Sequence, residues 1–167
     1  MGCGKSSVGR RLAALTGHRF IDTDELVSQK DGRSIPEIFA ADGEAAFRRT
    51  EQAVLCDLIG VVGIVLATGG GAILCQENRE ALRKIGTIVW LDADPEALFE
   101  RATRSGRRPL LQTDDPRKTF DDLLAARRAT YEEASDFRFD STGLGHDEVA
   151  RSILEKAMCF RAGAGDR

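Results

Sequence analysis

Two hydrophobic patterns alternate along the chain. Unbroken apolar runs stand at 64–67 and 87–91, the first leading into Gly69-Gly70-Gly71 and the second ending at Asp92. Such runs suit strands buried on both faces, as in a parallel sheet flanked by helices. Residues 18–21 and 137–140 are two further short strand candidates. Between the strands the spacing turns helical. Phe47, Val54, Leu55 and Leu58 fall on one face of a helix over about 44–59. Further helices are predicted over 5–15, 24–30 (stopping near Gly32), 95–104 (capped by Asp94), 118–134, and 147 to about 159. Ser34-Ile35-Pro36-Glu37 has capping-box spacing and opens a short helix to about Ala41. Residues 105–115, rich in Gly, Arg, Pro and Asp, read as a loop. The alternation predicts an α/β fold, a doubly wound parallel sheet with right-handed crossovers. One domain is expected over 1–160, with a disordered tail at 161–167.

Composition narrows the picture. The 167 residues suffice for one buried core without staples. Twenty-four basic and 27 acidic residues leave a net charge of −3, which calls for no nucleic-acid or membrane partner. An acidic chain can still gather arginines in one cleft, so an anionic substrate remains open. Cys3, Cys56, Cys75 and Cys159 are widely spaced, with no C-x-x-C pair and no histidine cluster nearby. A reducing compartment fits them better than a zinc site or a disulfide framework. There is no apolar run of membrane-spanning length and no signal-peptide pattern, so a cytoplasmic protein is expected.

Six motifs carry candidate chemistry, each with a plainer reading beside it. Gly2-Cys3-Gly4-Lys5-Ser6 matches the end of G-x-x-x-x-G-K-[ST]. Glycines let backbone N–H groups approach phosphate oxygens, and the following helix adds its positive end. Lys5 would reach the β- and γ-phosphates and Ser6 would bind magnesium; the plain alternative is a turn that starts an ordinary helix. Asp22-Thr23-Asp24 follows a strand, where open α/β sheets bind ligands. An acid there can hold magnesium through water or accept a hydroxyl proton, or Thr23 or Asp24 can simply cap the next helix. Arg48-Arg49 could present one fork to a carboxylate, or both could face water beside Glu51. Gly69, Gly70 and Gly71 cost backbone entropy and suit a place where ligand meets backbone, or form a plain tight turn. Arg107-Arg108-Pro109-Leu110-Leu111 could close over a nucleotide, or be an exposed basic turn. Arg127-Arg128 could serve a site or complement a helix end. His18 and His146 receive no role, and Trp90 reads as core.

In this order the motifs resemble the shikimate kinases. The stretches that carry the likeness are GCGKSSVGRRLA, FIDTDELV, SIPEIFAADGEAAFRRTE, ATGGGAI, RRPLL and the weaker RRATYEE, spanning nearly the whole chain. The resemblance implies a three-layer P-loop kinase fold with five parallel strands ordered 2-3-1-4-5. Strand 1, which precedes the phosphate loop, has no counterpart among these residues. It implies transfer of the γ-phosphate of ATP to the 3-hydroxyl of shikimate, with Mg2+, by a monomer. Gly2, Cys3, Gly4, Lys5, Ser6, Ser7, Arg101 and Arg108 would bind nucleotide, with Arg101 on the adenine and Arg108 a lid arginine at the transferred phosphate. Ser6 and Asp22 would support the metal. Asp24, Arg48, Arg127 and the backbone at Gly69, Gly70 and Gly71 would hold shikimate, the two arginines on its carboxylate. Lys5, Asp24 and Arg108 would be catalytic, Asp24 either as base or as aligner of the hydroxyl. Ala129 and Thr130 stand where the family usually has proline and leucine, which leaves Arg127 and Arg128 in competition. Another small-molecule P-loop kinase, such as a gluconate kinase, and a related protein that binds without turnover are the rival readings.

Overall fold

The computed structural model describes residues 2–104 and 113–164. Four short strands form within one or two residues of the predicted runs. Strand β1 (Arg19–Asp22) pairs in parallel with β2 (Ile64–Ala67), aligning Arg19 with Ile64 and Asp22 with Ala67. Strand β3 (Val89–Asp92) pairs in parallel with β4 (Phe137–Asp140), aligning Val89 with Phe137 and Asp92 with Asp140. Parallel pairing requires crossover connections, and helices supply them.

Helix α1 (Lys5–Thr16) starts after Gly4 and stops at Gly17, both left-handed, at φ 79° and φ 69°. It lies close on β1: a Cβ on buried Gly9 would stand 2.7 Å from the Phe20 ring, so only glycine permits the approach. Helix α2 (Thr23–Asp31) ends at Gly32. Helix α3 (Ile35–Asp57) unites the two helices predicted at 34–41 and 44–59. Gly43, at φ 76° and ψ 179°, breaks it between them. The capping box is present, with Ser34 N–H donating to Glu37 Oε2 at 2.7 Å. Helices α5 (Pro95–Arg104) and α6 (Pro116–Ala134) follow the predicted pattern. Helix α7 (His146–Ala164) runs beyond the expected end near Cys159 into residues expected to be disordered, and 165–167 lie outside the described residues.

The turn Ala72–Leu74 and helix α4 (Gln76–Ile85) were not anticipated. Asn78 explains the omission. It occupies a core-facing position, fully buried, and donates to the Ala72 carbonyl at 3.0 Å. A polar residue at that place interrupts the apolar spacing that would have marked the helix.

One core forms where α1, α5, α6 and α7 meet β3, from Val8, Leu91, Leu98, Phe120, Val149 and Ile153. A second joins α2 to α3 through Val27, Ile38, Phe47 and Val54. A third joins α3 to α4 through Leu55, Ala81 and Leu82. Among the described residues the two strand pairs are separate sheets. An apolar slot of about 530 Å³ is lined by both β2 and β3, with Val8 and Leu12 of α1, Leu82 of α4 and Ile153 of α7 closing its sides. Along β2, Ile64, Val65 and Leu66 are only half-buried in consequence.

Candidate active site

The phosphate-loop candidate is built on backbone that only glycine accepts readily. Gly2 and Gly4 are both left-handed, at φ 73° and φ 79°. Gly2 presses on α5, where a Cβ would stand 2.5 Å from the Leu98 carbonyl oxygen. Cys3 between them is buried in the main core, so it serves this loop through its backbone. Lys5 Nζ lies 3.6 Å from Cys3 Sγ at the start of α1. Successive N–H groups ahead of a helix N-terminus form an anion-binding concavity.

Helix α1 and the end of β1 are tied together by the Ser6 hydroxyl, which donates to Asp22 Oδ2 at 2.7 Å. Asp22 also caps α2, its Oδ1 accepting the Asp24 N–H at 3.1 Å. The cap is therefore Asp22, where the sequence suggested Thr23 or Asp24. Thr23 is fully buried and its hydroxyl accepts the Gly69 N–H at 3.2 Å. Asp24 Oδ1 lies 3.0 Å from the place a Cβ on Gly69 would take. These contacts close a cleft of about 290 Å³ lined by Gly2, Gly4, Lys5, Ser6, Ser7, Asp22, Asp24, Thr68, Gly69 and Gly70. Ser6 and Asp22 offer a hydroxyl and a carboxylate oxygen side by side, a hard-donor pair that fits Mg2+ with waters and phosphates completing its shell.

Arg48 stands behind the glycine turn. Its guanidinium donates to Glu51 Oε2 at 2.8 Å and to Glu44 Oε1 at 2.9 Å. A Cβ on Gly71 would fall 2.3 Å from Arg48 Nη2, so the guanidinium occupies the space that a side chain there would take. Glu51 is fully buried, and its Oε1 has no hydrogen-bond partner among the described residues. Burial raises the Glu51 pKa above the usual carboxylate value, while the Arg48 guanidinium opposes that rise. Burial also works against the charge on Arg48, yet its hydrogen bonds to Glu51 and Glu44 raise its pKa on balance.

Helix α6 separates the two arginines that the sequence left in competition. Arg127 faces the glycine turn, its Nη1 3.8 Å from the place of a Cβ on Gly70. Arg128 packs over the Trp90 ring at 5.5 Å. One helical turn after Arg127, the Tyr131 hydroxyl donates to the Gly70 carbonyl at 2.5 Å. Arg101 on α5 approaches the first loop glycine, its Cβ 3.3 Å from a Cβ on Gly2. Arg108, and with it the Arg107–Leu111 motif, lies outside the described residues.

Sequence reasoning passed over Thr23, Glu51, Tyr131 and His146. For Glu51 a signal existed: residues 47, 51, 54 and 55 share one face of α3 and Leu58 caps its end, so an acid stands on an apolar stripe. His146 gave none. Its Nε2 lies 3.2 Å from the place of a Cβ on Gly4, a contact made only because α7 runs beside α1.

The phosphate-loop candidate, a paired hydroxyl and carboxylate, and an arginine-backed glycine turn thus gather at the C-terminal end of the β1–β2 pair. The family model described as shikimate kinase matches residues 1–158. The chain belongs to the shikimate kinase family. Relatives agree. The shikimate kinase of Symbiobacterium thermophilum is 47% identical over 158 residues, covering 93% of this chain and 91% of that protein. That of Halorhodospira halophila is 44% identical over 155 residues, covering 93% and 88%. Among solved structures, the Acinetobacter baumannii shikimate kinase in complex with shikimate superposes with a TM-score of 0.90 at 39% identity, covering 95% of this chain and 89% of that one. The Aquifex aeolicus shikimate kinase gives 0.81 at 33% identity, covering 98% and 94%. Membership makes this chain a phosphotransferase that uses ATP with Mg2+ and acts on shikimate.

Proposed function

We propose that the 290 Å³ cleft is where the γ-phosphate of ATP passes to the 3-hydroxyl of shikimate, each substrate entering from one side. The observation that carries this is the sharing of one cavity wall by Lys5, Ser6 and Asp24 with Gly69 and Gly70. The loop from Gly2 to Ser7 receives the phosphates through backbone N–H groups, with Lys5 on the β- and γ-oxygens. Ser6 and Asp22 hold Mg2+, which when bound neutralises phosphate charge. Arg101 takes the adenine side. Arg48 and Arg127 grip the shikimate carboxylate, since two planar forks suit a carboxylate better than a point charge does. Asp24 aligns the 3-hydroxyl toward the phosphorus, and Arg108 covers the transferring group. Catalysis is then positioning and charge stabilisation.

In the sheet order 2-3-1-4-5 that the family likeness implies, β1 and β2 take places 2 and 3, and β3 and β4 take places 4 and 5. The slot between β2 and β3 is then the place of strand 1. Four free cysteines suit the cytoplasm.

The decisive test couples ADP release to a nucleotide titration, with shikimate supplied, withheld, or replaced by gluconate. ADP release that depends on shikimate is expected. Equal release with gluconate, or nucleotide binding without shikimate-dependent release, overturns the reading.

A further inference from the structure

Three glycines in succession give a turn little stiffness of its own, yet a binding backbone has to be held still. The surroundings of the turn supply the restraint. Thr23 Oγ1 accepts the Gly69 N–H at 3.2 Å, and the following turn closes through Ala72 N–H to Gly69 O and Leu74 N–H to Gly71 O, both at 3.1 Å. The Gly70 carbonyl is held from another element altogether, by the Tyr131 hydroxyl on α6.

That hydroxyl is itself well located. The Tyr131 ring stacks on Trp90 with centroids 5.7 Å apart and planes 19° apart. Trp90 is buried in β3 and has Arg128 and Arg138 over its ring at 5.5 and 5.1 Å. Tyr131 therefore reaches the turn from a ring that packing restrains. Arg127 lies four residues earlier on the same helix face, its Nη1 3.8 Å and the Tyr131 hydroxyl 3.2 Å from the place of a Cβ on Gly70.

We infer that Tyr131 is a positioning residue for shikimate, acting through the Gly70–Gly71 peptide. This rests on the reading of the glycine turn as part of the shikimate site. The peptide is trans, so the Gly71 N–H points opposite to the Gly70 carbonyl. Anchoring the carboxyl-side oxygen of Gly70 to α6 aims that N–H away from α6. Without the anchor the peptide plane rotates about glycine dihedrals at little cost, and the N–H loses its direction. The same hydroxyl ties the turn to the helix that carries Arg127, so backbone donor and guanidinium keep a fixed separation.

Tyr131→Phe keeps the ring and its stack on Trp90 and removes only the donor. A net hydrogen bond of ordinary strength corresponds to a rise in shikimate KM of roughly 3- to 10-fold. ATP KM should stay within about twofold and Tm close to wild type, because the Phe ring preserves the packing. Calorimetric titration of shikimate should show the same loss of affinity. Unchanged shikimate KM overturns the inference. So does a joint rise of both KM values with a fall in Tm, which marks a merely structural bond. A wild-type enzyme that ignores shikimate refutes the functional reading instead, and that outcome is seen before any variant is made.

Discussion

Filling the slot between β2 and β3 is the most demanding test of the fold. The perturbation is to join about ten residues ahead of the phosphate loop, enough for an average strand of five apolar residues and a turn. Cys3 and Lys5 line the slot, so a strand ending there connects directly to Gly2. Burying five apolar side chains at ~1.5–3 kcal/mol each stabilises by about 8–15 kcal/mol. The volume gives the same scale: 530 Å³ at ~24 cal/mol per Å³ corresponds to about 13 kcal/mol. Fixing five backbone residues costs about 5–10 kcal/mol against this. A net gain of ~3–5 kcal/mol follows, which for a protein of this size raises Tm by roughly 10 °C. Calorimetry on the two lengths reads the shift, amide exchange at β2 and β3 reads the pairing, and shikimate-dependent ADP release reads the site. If Tm, exchange and activity are the same in both, the slot is not a strand position and the reasoning fails.

Three further outcomes follow from the site. Arg48→Ala should raise shikimate KM about 30-fold or more, as loss of one partner from a desolvated charge pair does, with ATP KM little changed; unaltered shikimate kinetics would remove Arg48 from the site. Gly71→Ala places a Cβ 2.3 Å from Arg48 Nη2 while the backbone, at φ −97°, tolerates alanine. The guanidinium must move, so shikimate KM should rise roughly tenfold with Tm nearly constant, and equal kinetics would show that Arg48 works from elsewhere. Glu51 has its folded pKa raised above the ordinary 4.5. As pH rises from 4.5 the unfolded chain gives up this proton first, so the folded state binds more protons and stability falls until the raised pKa is passed. Glu51→Gln should flatten that decline in urea melts taken across pH, and an unchanged slope would place its cause in another group.

Much of the fold was legible because strand and helix here obey their simplest periodicities. The run at 64–67 became β2 residue for residue, and Ser34 with Glu37 opened α3 as their spacing required. Helix α4 escaped because Asn78 takes an interior position through a hydrogen bond, a compensation no local pattern reveals. Glycines and arginines of the site stood out by type, since each is costly or unusual where it occurs. What positions them did not. Thr23, Tyr131 and His146 act across 46, 61 and more than a hundred residues of chain, and such pairings are set by helix placement. The choice between Arg127 and Arg128 likewise depended on which side of α6 faces the turn, a rotation of the helix that neighbouring positions cannot show.

Trp90 is the sole tryptophan of the chain. Its indole overlaps the ring whose hydroxyl holds Gly70, and two guanidinium groups flank it. Rotation of the glycine turn reaches the indole through a single aromatic contact, with no competing fluorophore of its kind elsewhere in the protein. Intrinsic emission is thus expected to follow the geometry of the glycine turn, readable without a dye, a label or a substitution.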